Sequence, residues 1–174
     1  MFRLILLLVI HCSTLGCLAR IFIFTKAECR TLDPEFCNFE SCEIFSTNNK
    51  TNLDIYVKMH YKNPINQVSV ALAAYKTTRN NRVSIFNETI DFCLFMRQSF
   101  ASKFSAIATG PILKISNINH TCPYQHDIII KGIINNFNFF SGMPAPKGNY
   151  VLYMRVSAFK KWKAEVQFYA RSAV

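Results

Sequence analysis

Asn119, His120, Thr121 and Cys122 put an amide, an imidazole, a hydroxyl and a thiol in four consecutive positions. Asn119 with Thr121 is an N-glycosylation sequon, meaningful only in a chain that enters the secretory pathway, and a cysteine beside it then reads as half of a disulfide. Two further sequons agree with that compartment, Asn49 with Thr51 and Asn87 with Thr89. His120, His126 and Asp127 imitate a metal set, but such ligands in a loop lack a third partner of predictable geometry, so no metal is expected. His60 falls on the polar side of an alternating segment, where a solvated side chain is the plain reading. No nucleophile elbow, Gly-rich phosphate loop, metalloprotease helix or kinase set is present, and the 10 Asp+Glu are too scattered to argue a carboxylate pair. An enzyme is the least supported class, and neither a catalytic residue nor a cofactor is expected.

The N-terminus agrees with secretion. Arg3 precedes an apolar run from Leu4 to Ile10, and Cys17, Leu18 and Ala19 imitate a signal-peptidase site. Residues 1–19 are therefore expected to be a cleaved signal peptide and 20–174 a single secreted, extracellular domain. An uncleaved anchor is disfavoured because a spanning helix wants about 20 consecutive apolar residues, and His11, Ser13 and Thr14 interrupt this run. No second stretch approaches spanning length, so no transmembrane segment is expected after cleavage.

Cleavage would remove only Arg3 from the charged residues, leaving 19 Lys+Arg against 10 Asp+Glu. In a secreted chain that excess points to an extracellular receptor or an anionic surface as a further partner, and away from nucleic acid. Lys160, Lys161 and Lys163 gather with Trp162 at one hairpin tip, a composition suited to a membrane interface. Five cysteines would remain, Cys29, Cys37, Cys42, Cys93 and Cys122, for which two bridges allow 15 connectivities. No CxxC pair and no His at finger spacing occurs among them, so disulfides are favoured over zinc.

The elements that must position these groups show a dominant period of two. Leu53, Ile55, Val57, Met59 and Tyr61 alternate with polar residues, as in a strand with one face in a core. Val68, Val70, Leu72 and Ala74 follow in phase. Tyr150, Leu152, Met154 and Val156, then Trp162, Ala164, Val166, Phe168 and Ala170, predict a hairpin across Lys160 and Lys161. Weaker strands are expected over Arg20 to Glu28, Phe39 to Thr47, Arg82 to Phe86 and Asp127 to Ile134, about eight in all, the count of a sandwich. One segment breaks the period: Phe92, Met96, Phe100 and Phe104 recur every four residues, predicting one amphipathic helix from Asp91 to Ala108, capped by Asp91 and stopped by Gly110 and Pro111.

Asn87-x-Thr89-Ile90-Asp91-Phe92-Cys93, Ser116-Asn117-x-Asn119-His120-Thr121-Cys122-Pro123-Tyr124-x-His126 and Met143-Pro144-x-Pro146-x-Gly148-x-Tyr150, with an earlier Cys29 and Cys42, carry a resemblance over essentially the whole mature chain. The sequence resembles the insect secreted family of unknown function known as domain of unknown function 1091, or Daedalus-on-3 relatives. That family is similar to the ML lipid-recognition superfamily, two-sheet sandwiches that hold a lipid between the sheets. Lys147 and Asn149 stand where members of that family often carry acidic residues, a departure that argues against carrying over any charge-based recognition there.

The resemblance implies Cys29 with Cys42 and Cys93 with Cys122, with Cys37 an addition to the family's pattern; a Cys37 to Cys29 bridge stays open. Together these features predict a mainly β, two-sheet immunoglobulin-like (ML-like) sandwich with one helix. The expected function is non-covalent binding of a lipid or other apolar small molecule, as a carrier or chemosensory accessory protein. The alternative is an extracellular protein-interaction module without a ligand cavity. A ligand site of that kind is expected to exceed about 300 Å³. Its candidate walls are Val70, Leu72, Phe92, Met96, Phe100, Phe104, Leu152 and Met154, and Ala74→Phe is expected to displace the ligand from a hollow core without unfolding it.

Overall fold

Alternation is what builds this protein, and the third strand shows how. Leu53, Ile55, Val57 and Met59 are buried, while Asn52, Asp54, Tyr56 and Lys58 between them are only half-buried on the other face. The computed structural model describes residues 21–79, 81–98, 110, 112–134 and 146–173. Within them lie β1 (Ile21–Thr31), β2 (Cys37–Thr47), β3 (Lys50–Met59), β4 (Val68–Thr77), β5 (Arg82–Asp91), helix α1 (Phe92–Arg97), β6 (Ile128–Ile133), β7 (Gly148–Ala158) and β8 (Lys161–Ala173). The strands form a five-stranded sheet in the order β1-β8-β7-β4-β5 and a three-stranded sheet in the order β2-β3-β6, with every pairing antiparallel. The fold is mainly β, a sandwich of two sheets.

Two hairpins close through non-glycine residues with positive φ, Asn48 and Asn49 between β2 and β3, and Phe159 and Lys160 between β7 and β8. Positive φ at both central residues is the requirement of a two-residue turn whose twist matches its strands. The second turn thus lies one residue earlier than Lys160 and Lys161.

Cys29 and Cys42 are bonded across the sandwich, from β1 of one sheet to β2 of the other, with Cα atoms 6.1 Å apart. They join the two layers rather than neighbouring strands of one sheet. Cys93 of α1 is bonded to Cys122, at a Cα separation of 5.4 Å. Cys37 is a free, buried thiol.

Three expectations are corrected here. Helix α1 spans six residues and reaches its C-cap at Gln98, and the stretch 99–109, with Phe100 and Phe104, lies outside the described residues. The same is true of residues 1–19, Pro111, Met143 and Pro144. Asp91 does cap α1, its carboxylate accepting from Leu94 N at 2.9 Å, but the buried face is Phe92, Cys93 and Phe95, with Met96 only half-buried. Strand β5 continues past Phe86 to Asp91, and as an edge strand exposed along most of its length, with only Phe86 and Ile90 half-buried against the core, it writes little alternation into the sequence.

The third correction is at Trp162. The register runs Val156 to Ala164 and then Ser157 to Trp162, which leaves Lys163 as an extra residue on β8. Such a bulge re-aims side chains. Trp162 is turned outward and is 42% exposed, stacked under the Arg155 guanidinium, whereas Lys163 is buried and is no part of a solvated tip.

Candidate functional site

The inward residues of the five-stranded sheet fall into layers along the sandwich. From the β7–β8 turn inward these are Val68 with Ala158, Val70 with Val156 and Ala164, Leu72 with Met154 and Val166, Ala74 with Leu152 and Phe168, and Lys76 with Tyr150 and Ala170. The far layers are filled by aromatic side chains: Phe24 meets Phe168 edge-on at 6.1 Å, and Phe22 meets Tyr150 at 5.3 Å. The near layers are not filled. A cavity of about 160 Å³ lies there, walled by Val68, Val70, Met154, Val156, Ala164 and Val166 on one sheet and by Phe39, Ile55, Val57, Met59, Ile128 and Ile130 on the other. Its wall presents no polar surface.

One side is closed by α1 and the segment that follows it. Phe92, Ile112, Leu113, Ile118 and Tyr124 line the cavity there, and the Cys93–Cys122 disulfide ties the helix to the loop that carries Ile118 and Tyr124. Tyr124 is bridged to Ile65 by two backbone hydrogen bonds of 2.8 and 2.9 Å, and its hydroxyl donates to the carbonyls of Ile118 (3.1 Å) and His120. Burial pushes the Tyr124 hydroxyl up to about 12.

Asn117 anchors this loop to β6. Its Nδ2 donates to the Asp127 carbonyl at 2.8 Å and its Oδ1 accepts from Ile129 N at 2.9 Å. Sequence reasoning saw Asn117 only as one letter of a motif.

The other end is closed by the bulge. The Lys163 stem lines the cavity, while its ammonium donates to Asp33 Oδ2 at 2.6 Å and sits 4.3 Å from the Phe36 ring centroid. The Lys163 carbonyl accepts from Leu32 N and Asp33 N, so the β1–β2 loop is fastened to the bulge. That lysine hydrogen bond holds the Asp33 carboxyl below its ordinary range. Phe36 stacks on Tyr61 at 5.2 Å, and Tyr61 meets Phe159 of the turn at 5.6 Å, a run of rings from the cavity to the hairpin tip. Cys37 also lines the cavity, and burial first, with Asp33 adding to it, pushes its thiol up to about 11.

Of the wall residues predicted from sequence, Val70, Phe92 and Met154 line the cavity. Leu72 and Leu152 are buried but lie outside its lining, and Met96 is half-buried against the core. Phe100 and Phe104 lie outside the described residues. Ala74 is fully buried in the filled half, so Ala74→Phe probes packing and not the cavity.

His120 and His126 face each other, Nε2 to Nε2 at 2.9 Å, with each Nδ1 at 2.7 Å from a backbone carbonyl. Asp127 is engaged elsewhere, accepting from Met59 N, the Tyr56 hydroxyl and Lys58 Nζ at 2.8, 2.7 and 3.0 Å, which holds its carboxyl far below the usual range. Among the described residues no group of three potential ligands gathers for a metal. Nor is any described helix long and apolar enough to cross a membrane.

These features define a disulfide-linked β-sandwich with an apolar cavity at one end. Residues 67–152 match the family described as "Protein of unknown function (DUF1091)", and over that stretch the chain is similar to this family. The match is shorter than the stretch over which the motifs suggested a resemblance. No curated protein matches the sequence. Among solved structures, chicken MD-1 complexed with lipid IVa is similar with a TM-score of 0.41 and 13% identity, over 89% of this chain and 96% of that one. A Niemann-Pick type C2 protein from Japanese carpenter ant is similar with a TM-score of 0.33 and 15% identity, over 89% and 95%.

Proposed function

We propose that this protein is a secreted glycoprotein that binds an apolar small molecule, or a hydrocarbon segment of a lipid, non-covalently between its sheets. The observation that carries this reading is the wholly apolar cavity of about 160 Å³ in a core whose other half is filled. An apolar void of roughly 150 Å³ stays dry and accepts benzene, so this space suits a ring or a short run of alkyl chain. It is below the expected 300 Å³, and a larger lipid would leave part of itself outside. An occupant's polar group would find no partner within this wall, at a cost of roughly 1–3 kcal/mol. The ligand class is therefore hydrocarbon at the buried end, with any head group left outside.

Three sequon asparagines, Asn49, Asn87 and Asn119, are exposed, as glycan acceptors must be. Two disulfides fit the same oxidising compartment. The cavity wall among the described residues is apolar, so binding is the role proposed, with carriage or chemosensory presentation as the finer role.

An apolar naphthalene probe that fluoresces on leaving water tests this directly. Saturable, one-to-one enhancement that a long-chain alkane or ester displaces is the expected result. A protein that folds and takes up neither probe nor alkane overturns the proposal in favour of an interaction module.

A further inference from the structure

We infer that the β7–β8 hairpin tip is a docking surface for anionic phospholipid membranes, placed to exchange a ligand with the cavity beneath it. The tip is Phe159-Lys160-Lys161-Trp162, with Phe159 36% and Trp162 42% exposed and both lysines exposed. Large apolar rings left in water beside cations match the two chemical layers of an anionic bilayer surface, the phosphates and the acyl chains below them. The β8 bulge is what makes this arrangement: it moves Trp162 out of the core phase and withdraws Lys163 into an ion pair with Asp33.

Position ties the tip to the cavity. Ala158, the residue before the turn, lines the cavity, and Phe159 continues through Tyr61 to Phe36, another lining residue. Lys62, exposed on the β3–β4 loop, adds a third cation at this end. The acidic groups there are Glu35, exposed on the β1–β2 loop, Asp33, held by Lys163, Asp127, held by Lys58 and Met59 N, and Asp91, which caps α1 from the edge strand β5. None belongs to the tip itself.

This inference extends the proposed binding role but stands on the surface, so the two are separable by experiment. Trp162 is the one tryptophan in the sequence, and its emission reports the tip alone. With vesicles of phosphatidylcholine containing phosphatidylserine, the protein should float with the lipid. Trp162 emission should shift to shorter wavelength and be quenched by brominated acyl chains, and neither effect should appear with phosphatidylcholine alone. Lys160→Gln with Lys161→Gln should weaken binding roughly 30-fold, from about 1 kcal/mol per lysine near the surface. Lys50→Gln with Lys147→Gln, at the opposite end of the sandwich, should leave binding intact.

Equal loss from both double variants, or vesicle binding with unchanged Trp162 emission, would show diffuse charge attraction and overturn the docking surface. No binding to anionic vesicles overturns it as well. The naphthalene probe, titrated without vesicles, reports the cavity independently. Probe binding without vesicle binding therefore refutes only the docking surface, and the reverse refutes only the cavity reading.

Discussion

Ala164 and Ala74 are both buried, inward-facing alanines of the five-stranded sheet, yet enlarging them should have opposite consequences. Ala164 lines the cavity, whereas Ala74 is fully buried in the filled half, between Leu152 and Phe86 on its two neighbouring strands. Changing either to Leu adds three carbons. At Ala164 they enter a void of about 160 Å³, displacing no neighbour. At about 0.8 kcal/mol per buried carbon the gain reaches about 2.4 kcal/mol. At Ala74 the same carbons must push a packed layer apart, costing about 1–3 kcal/mol. For a chain of this size one kcal/mol moves Tm by roughly 2–4 °C. Ala164→Leu should therefore hold or raise Tm, by up to about 10 °C, while Ala74→Leu lowers it by about 2–12 °C. Differential scanning calorimetry of the ligand-stripped proteins measures both. Ala164→Leu should also abolish binding of the naphthalene probe, and Ala74→Leu should leave it nearly unchanged. A fall in Tm for Ala164→Leu as large as that for Ala74→Leu would mean the space is not there, and the layer-by-layer account of the core would fail.

Cys37 is 2% exposed with its thiol pushed up to about 11, so it should resist a thiol reagent at pH 8 until denaturant is added, and a non-reducing gel should show monomer; rapid labelling of the folded protein would contradict its burial. Changing Cys93 and Cys122 together to Ser opens a loop of sequence separation 29, and Cys29 with Cys42 one of 13. The chain-entropy relation gives about 3.6 and about 3 kcal/mol for these losses, measurable from urea midpoints. The first variant should also weaken probe binding, since it frees the wall carrying Ile118 and Tyr124, and equal probe affinity in both variants would dismiss that role. Glu165 is raised by burial but pulled the other way by hydrogen bonds from Tyr153, Arg155, Arg30 and Gln167, which win and leave it at about 2. A depressed carboxyl contributes stability above its unfolded value near 4.5 and loses it as pH falls toward 2. Urea midpoints should therefore fall between pH 4.5 and 2.5, and Glu165→Gln should flatten part of that fall; an unchanged acid limb would show that Glu165 contributes nothing to it.

Where each strand has one wet and one dry face the sequence was legible: alternation marked β3, β4, β7 and β8, and the other four strands were anticipated as weaker candidates. β3 is the plainest case, with every second residue buried from Leu53 to Met59. β5 was cut short because an edge strand lacks that contrast. Trp162 was misplaced for a sharper reason. It stands in phase with Ala164 and Val166, and one residue of bulge, invisible to a period-two count, reverses its face. The clue available was Lys163 itself, next to the core phase and in need of an anion that Asp33 supplies from far along the chain. The helix was overextended because the recurrence of Phe92, Met96, Phe100 and Phe104 says nothing about where α1 stops. The cavity was the least legible feature. Val70 lines it and Leu72, two residues on, does not. Apolar side chains around a void and around a filled core obey the same pattern, and only the aromatic pairs at Phe24 and Phe22 decide which half is full.

The central claim is that the space between the sheets holds an apolar molecule. Native mass spectrometry of the protein purified from the medium of insect cells, without detergent, tests it most directly. A fraction of the protein should appear heavier than its glycan-corrected mass by one apolar molecule, which organic extraction removes and identifies, and Ala164→Leu should eliminate that fraction. A wild-type protein that appears only at its own mass, and stays there after incubation with an excess of hydrocarbon and lipid, would contradict the account.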